Sequence, residues 1–177
     1  MKKNTFLYIL KVLLVVISGL LYISCSSQED KQLQRQKDIK AYAEKINSNP
    51  IALTASNADT LISLYESYIN DYPDDSMSEY YLFQMHNVYA AKNQCDSALY
   101  CLNKIIKDYP KGKNVGAAYF FKGVVLNDVC LNRDESIKAF EEYIRRYPNN
   151  PHVETARRIM QLDTMNNPID LISNSND

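Results

Sequence analysis

Glycine and histidine are scarce in this sequence, and each shortage argues against a class of protein. The 177 residues include four glycines and no tryptophan, but fourteen tyrosines. Because tight turns often require glycine, a turn-rich β protein is not expected. The two histidines, His86 and His152, are far apart and no His-Glu-x-x-His pair is present, so a zinc site of the usual spacing is not expected. Glycine-rich phosphate loops and Gly-x-Ser-x-Gly turns are also absent, and we predict neither enzyme activity nor a metal or cofactor.

An excess of charge of one sign is lacking too. Lys and Arg together number 20 and Asp and Glu 21, which leaves a formal net charge of −1. This balance provides no basic surface of the kind that binds nucleic acid, so no nucleic-acid partner is expected. The apolar fraction of 46% and the charged fraction of 23% are typical of a chain that buries a core.

An apolar segment near the N-terminus is the first positive feature. Lys2 and Lys3 precede the apolar run Val12–Ile23, whose 12 residues match the length of a signal-peptide core. A membrane-spanning helix needs about 20 residues, so the run is short for a span. Counting back to Phe6 gives 18 residues but includes Lys11, and an uncleaved membrane anchor is therefore the alternative.

The end of this run resembles the lipobox of bacterial lipoproteins. Its sequence is Leu21-Tyr22-Ile23-Ser24-Cys25. The resemblance implies that residues 1–24 are a signal peptide that is removed, and that Cys25 becomes a lipidated N-terminus held firmly at a membrane by several acyl chains. Tyr22 departs from the pattern, which usually has Leu there. An ordinary signal peptide followed by a stray cysteine is the alternative.

The residues that follow, Ser26–Asp30, are polar and end in two acids. They resemble a surface-export signal of bacterial lipoproteins, with a plain solvated tether as the alternative. The expected location is therefore the outer membrane, on its periplasmic face or on the cell surface.

A Tyr-Pro pair recurs three times, as Tyr72-Pro73, Tyr109-Pro110 and Tyr147-Pro148. The prolines are 37 and then 38 residues apart, and each pair ends a segment whose apolar residues have helical spacing. A repeat of this length is typical of stacked helix pairs, so we predict about seven α-helices. Their predicted ranges are 33–47, 58–72, 78–91, 95–108, 115–129, 135–146 and 151–162.

These ranges predict a simple domain plan. Residues 25–32 form a tether, residues 33–165 the helical-repeat domain, and residues 166–177 a flexible tail. Ser76 and Glu79 have capping-box spacing at the start of one helix. Asn150 and Pro151 predict the start of the last helix, as its cap and its first residue.

From Leu82 onward the chain resembles the tetratricopeptide repeat. In two consecutive units the pattern falls on Leu82, Met85, His86, Tyr89, Ala98, Leu102, Ile105 and Pro110, and then on Tyr119, Gly123, Leu126, Ser136, Phe140, Tyr143 and Pro148. The resemblance extends over about residues 61–148. It implies an all-α fold, a right-handed superhelix of antiparallel helix pairs, and binding of a protein or peptide.

Two departures from that family pattern narrow the resemblance. The period exceeds the family's roughly 34 residues, and Tyr143 replaces a usual alanine. Both resemble the variant found in bacterial envelope proteins, such as the lipoprotein subunit of the outer-membrane β-barrel assembly machine and the Tol-Pal-associated periplasmic protein.

The family register predicts a partner-binding groove lined by the first helix of each pair. The residues that it places there are Tyr80, Phe83, Gln84, Asn87, Ala117, Phe120, Phe121, Val124, Asn127 and Asp128. Aromatic and amide side chains suit an extended peptide or a helix. The alternative is that flanking helices cover this face and make Phe120 and Phe121 core residues. The family's basic clamp for a terminal carboxylate is missing, since Phe83 and Phe120 stand where it needs lysine.

The cysteines beyond Cys25 leave two possibilities open. Cys95 and Cys130 fall at the turns within neighbouring repeats, and an exported compartment permits disulfides. A Cys95–Cys130 bridge is one possibility, and reduced core cysteines are the other.

We interpret His86 as a packing residue.

Taken together, these features predict a non-catalytic, lipid-anchored scaffold that binds a protein or peptide in the envelope. A role in envelope assembly fits the resemblance. The alternative is a surface lipoprotein that binds a host or nutrient ligand.

Overall fold

The computed structural model describes residues 28–46, 48 and 54–165. It divides the chain into two units, Met1–Leu53 and Thr54–Asp177, so the division falls inside the predicted domain 33–165. In the first unit, residues 28–46 form helix α1, in which Ile39 and Ile46 are buried. This helix includes residues 28–32, which we predicted as a tether, because the Gln, Glu and Lys residues there are good helix formers even without apolar spacing. Cys25 and the predicted tail 166–177 lie outside the described residues.

The second unit consists, over its described residues, of six helices and no strands. They are α2 (Ala55–Asp71), α3 (Ser76–Ala91), α4 (Cys95–Asp108), α5 (Val115–Asp128), α6 (Arg133–Arg146) and α7 (Val153–Met165). Each helix packs against the next one along the chain. This all-α arrangement is a tetratricopeptide-like solenoid, as predicted.

The three Tyr-Pro tyrosines end their helices in nearly the same backbone conformation. Tyr72, Tyr109 and Tyr147 have φ of −134°, −124° and −128° and ψ of 58°, 53° and 56°. The following proline excludes the helical conformation at each of them. The Tyr109 hydroxyl donates to the Pro73 carbonyl at 2.5 Å, which links one helix end to the preceding one. All three tyrosines are therefore helix-end residues, as the recurring Tyr-Pro pairs predicted.

A buried glutamate joins the first complete helix pair to the second. Glu79 in α3 is 4% exposed, and its carboxylate accepts hydrogen bonds from the backbone N–H groups of Lys113 (3.1 Å) and Asn114 (2.6 Å). These groups lie at the start of α5, where backbone N–H groups have no partner within the helix. A Cβ atom on Gly112 would lie 2.3 Å from the Glu79 Cδ atom, so the loop approaches this closely because it has glycine there.

The capping box predicted at Ser76 and Glu79 is therefore wrong. Asp75 caps α3 instead, and its side chain accepts from the Met77 N–H at 3.1 Å. Glu79 bonds to another repeat rather than back to its own helix. The spacing of Ser76 and Glu79 along the chain cannot show whether the Glu79 carboxylate bonds to its own helix or to the start of α5.

The starts of four helices in this unit differ from the predicted ranges. α3 begins at Ser76 rather than residue 78, and α6 begins at Arg133 rather than residue 135. α2 begins at Ala55 rather than residue 58, because the Thr54 hydroxyl caps it by accepting from the Asn57 N–H at 3.2 Å. α7 begins at Val153 rather than Pro151. The Asn150 side chain does accept from the His152 N–H at 3.1 Å, but Pro151 and His152 form a turn before the helix begins.

Cys95 and Cys130 form a disulfide with a Cα–Cα distance of 5.1 Å. Cys95 is the first residue of α4, and Cys130 follows α5. The bridge thus connects the turn inside one helix pair with the turn inside the next. Of the two possibilities left open by the spacing, the structure has the bridge.

Candidate functional site

Charge is distributed very unevenly among the four helices of the two complete pairs. α4 and α6 contain four and eight charged residues. α3 contains only Glu79, which is buried, and α5 contains only Lys122 and Asp128. Helices that are apolar on every side are usually buried on every side. Any part of α3 or α5 that meets solvent therefore exposes surface that is uncharged and largely apolar.

Part of the surface of α3 and α5 does meet solvent, and we call it the α3–α5 face. It consists of Tyr80, Phe83, Gln84, Asn87, Phe121, Val124 and Asn127. Tyr80 is 43% exposed and Asn87 is exposed, whereas the other five are half-buried. All seven belong to the predicted groove. The two further groove residues of α5, Ala117 and Asp128, are half-buried and exposed.

Aromatic rings join the two helices at the centre of this face. The Phe83 and Phe121 rings meet edge to face with centroids 5.5 Å apart. His86 lies behind them, 4.6 Å from the Phe83 ring and 5.2 Å from the Phe121 ring. The face is therefore one continuous surface, held by direct contact between the first helices of successive pairs.

His86 adds no charge to this centre. It is 1% exposed, its Nδ1 hydrogen-bonds the Phe83 carbonyl, and burial lowers its pKa to about 4. The imidazole is therefore neutral near pH 7, with the Nδ1 proton donated to that carbonyl. The prediction of a packing role for His86 is confirmed.

Phe120, which we predicted in the groove, is a core residue. It is 6% exposed and packs with Phe140, Tyr143 and Val153. His152 stacks on its ring with centroids 5.1 Å apart. The alternative that a flanking helix covers this position is correct for Phe120, because α7 packs beside it. Phe121, one residue on, turns towards α3 and stays half-buried.

Apart from the Tyr80 hydroxyl, the polar side-chain groups on the face are amides. The Asn87 Nδ2 group donates to the Phe83 carbonyl at 3.2 Å, and the Asn127 Nδ2 group donates to the Asp128 carboxylate at 2.8 Å. Gln84 has no hydrogen-bond partner in the described part of the chain. These amides can exchange hydrogen bonds with a polypeptide backbone.

Among the described residues, no group of side chains resembles a reaction centre. No group of three His, Cys, Asp or Glu residues there could hold a metal ion. Cys101 is a free thiol, but it is fully buried and burial raises its pKa to about 12, which makes it a poor nucleophile. None of the described helices is long and apolar enough to span a membrane.

Comparison with known families bears on this site. A tetratricopeptide-repeat model matches residues 82–112, which run from the second turn of α3 to the loop before α5. The match starts at Leu82, where the predicted repeat register also starts. No curated protein matches the chain. The match supports a tetratricopeptide-repeat protein, and proteins of this kind are generally non-catalytic scaffolds that bind other proteins.

Proposed function

We propose that this chain is a non-catalytic, lipid-anchored scaffold that binds a protein or peptide partner on the α3–α5 face, at the bacterial outer membrane. The observation that carries the binding role is the solvent-accessible apolar surface on two helices that have almost no charge. Exposed aromatic surface of this kind marks interaction sites in soluble domains. The repeat match supports the same role, since stacked helix pairs commonly present such surfaces to partners.

The proposed location depends on different features. Residues 1–25 resemble a signal peptide with a lipobox, and Cys25 would receive the lipid. The Cys95–Cys130 disulfide is the kind of bond that persists in exported proteins and is rare in the bacterial cytosol. Both fit an envelope protein, and a role in envelope assembly is the form of scaffold that we favour.

The anchor is tested by Cys25→Ser. We expect this variant to leave the membrane fraction, and metabolic labelling with a fatty acid to mark the wild-type chain but not Cys25→Ser. Ala55→Ser, at an exposed residue of α2, is the control and should remain in the membrane fraction. Tight anchoring of Cys25→Ser would instead indicate an uncleaved helix.

The partner is tested by crosslinking in intact cells, followed by purification and mass spectrometry. Asn87→Ala and Phe83→Ala should each reduce the recovered partner by about tenfold or more, because truncating a central contact residue has effects of this size. Tyr100 is 63% exposed on α4, and Tyr100→Ala is the matched control on another surface. Equal recovery with all three variants, each shown to be folded, would contradict the proposed site.

A further inference from the structure

The α3–α5 face has a second property, which bears on the chemistry of its partner: it offers almost no charge. Glu79 is buried against α5. Lys122 lies near Glu135 of α6, whose pKa is lowered mainly by Lys138 and further by Lys122. The remaining charged residue of these helices, Asp128, is at the last position of α5. A charged partner segment would therefore lose hydration on this face without meeting an opposite charge.

The centre of the face favours an apolar side chain. The rings of Phe83 and Phe121 are half-buried, so each still has apolar surface that a partner can cover. His86 behind them is neutral near pH 7 and is already hydrogen-bonded to the Phe83 carbonyl. An aromatic or large aliphatic side chain can pack there and contact these rings.

The edges of the face favour a polypeptide backbone. Asn87 uses one N–H of its amide for the Phe83 carbonyl, which leaves its Oδ1 atom able to accept from a partner N–H group. Gln84, one helical turn away, has both its donor and its acceptor groups available within the described residues. Neutral amides bind backbone groups equally well anywhere along a chain and do not require a terminus.

Resting on the proposed function, we infer that the partner presents an uncharged internal segment with an aromatic or large aliphatic side chain at its centre. The face thereby selects against acidic and basic segments and against a free C-terminal carboxylate. Binding is driven by apolar contact and is insensitive to salt, because no ion pair forms that salt could screen.

The inference is tested with random 12-residue peptides displayed on phage, with their C-termini fused to the coat protein. The full-length chain, purified in detergent, is the target at 0.15 M and at 1 M NaCl. We expect the same peptides at both salt concentrations, with a central Phe, Tyr, Leu or Ile and no net charge. Their synthetic forms, measured by calorimetry, should change in Kd less than about twofold between the two salt concentrations.

Variants connect these peptides to the face. Asn87→Ala and Phe83→Ala should weaken binding at least about tenfold, whereas Tyr100→Ala should not change it. Asn87→Ala is the decisive variant if Phe83→Ala lowers stability, because Asn87 is exposed.

The possible failures are distinguishable. If the selected peptides depend on Asn87 but are charged, or weaken about tenfold or more in 1 M NaCl, the inference on partner chemistry is wrong and the proposed function stands. The same conclusion follows if a peptide with a free C-terminal carboxylate binds about tenfold more tightly than the same peptide with an amidated C-terminus. If no peptide binds in an Asn87-dependent way, both the inference and the proposed function are contradicted.

Discussion

Tyr68 and Tyr143 occupy equivalent positions in two helix ends, yet their hydroxyl groups have different surroundings. Both side chains are completely buried, and both backbone carbonyls accept the N–H of the capping tyrosine four residues on. The Tyr68 hydroxyl hydrogen-bonds the Asp75 carboxylate. The Tyr143 hydroxyl has no hydrogen-bond partner among the described residues. A buried polar group without a partner costs stability, whereas a hydrogen bond to a charged group contributes to it.

Removing each hydroxyl should therefore have opposite effects. We expect Tyr143→Phe to leave the free energy of unfolding unchanged or raise it by up to about 1 kcal/mol, and Tyr68→Phe to lower it by about 1–3 kcal/mol. Urea unfolding of the two variants beside the wild type measures both changes. A clear loss of stability in Tyr143→Phe would show that its hydroxyl has a partner after all.

His86 predicts a pH dependence of stability. Its pKa falls from the ordinary 6.5 to about 4 on folding, because burial disfavours the charged imidazolium. The unfolded chain therefore binds the proton more readily, so the stability due to neutral His86 is complete above about pH 6.5 and is lost as the pH falls towards 4. A shift of this size corresponds to about 3 kcal/mol.

The variant His86→Phe keeps a ring at this position and removes the titrating group. Between pH 7 and 4.5 its unfolding free energy should decrease less than that of the wild type. His152→Phe is the control, since His152 is exposed and Phe can still stack on Phe120. Equal pH profiles for the wild type and His86→Phe would contradict the assignment.

At the scale of the helix, α5 contains two glycines with different neighbours. A Cβ atom on Gly123 would lie 2.6 Å from the Phe140 Cδ1 atom, and the Phe140 side chain is fully buried and cannot move aside. The nearest atom to a Cβ on Gly116 is Tyr147 Cε1 at 3.4 Å, which is an ordinary contact. The Ser136 hydroxyl also donates to the Gly123 carbonyl at 2.9 Å, so α5 and α6 are in close contact here.

The same substitution should thus have opposite signs at the two sites. Alanine favours a helix over glycine by about 1 kcal/mol, so Gly116→Ala should stabilise the protein by up to that amount. Gly123→Ala should destabilise it by about 1–3 kcal/mol, because overpacking a rigid core outweighs the helix preference. Thermal unfolding of both variants separates the two effects. If Gly123→Ala were as stable as Gly116→Ala, the close approach of α5 and α6 would be wrong.

Most of the helices could be predicted from the local sequence pattern. The boundaries and contacts that the prediction missed have specific causes. Cys95–Asp108 was predicted residue for residue, since a short turn and a Tyr-Pro pair mark its two ends. The start of α2 was missed because the Thr54 side chain caps it. α7 begins later than predicted because Pro151 and His152 form a turn after Asn150. The Glu79 contact was missed because its partners lie 34 and 35 residues away.

The residues of the α3–α5 face could be predicted only in part, because the repeat pattern defines positions within a helix pair but not the packing of flanking helices. Repeat register placed Phe83 and Phe121 on one surface, and the structure brings their rings together. Register could not decide between groove and core for Phe120, since that depends on how α7 packs. The sequence predicted a packing role for His86 but not its contacts with the Phe83 and Phe121 rings, which depend on how α3 and α5 pack together.

At the scale of the whole molecule, a stacked-repeat protein is stabilised by contacts within each helix pair and by contacts between neighbouring pairs. The Cys95–Cys130 disulfide spans one such boundary and closes a loop with a sequence separation of 35 residues. Its main effect is expected in the unfolded chain, whose freedom it restricts. For a loop of this length the chain-entropy estimate is about 4 kcal/mol.

We therefore expect Cys95→Ala with Cys130→Ala to lower the free energy of unfolding by about 3–4 kcal/mol, and each single variant to lose nearly as much. Dithiothreitol should reduce the stability of the wild type to that of the double variant and leave the double variant unchanged. Cys101 provides the internal control: its buried thiol should react with a thiol reagent only after unfolding, in every variant. If dithiothreitol left the wild type as stable as before, while the reagent detected two new thiols, the bridge would form without stabilising the boundary. The contacts between α4 and α5 would then be sufficient to hold the two helix pairs together.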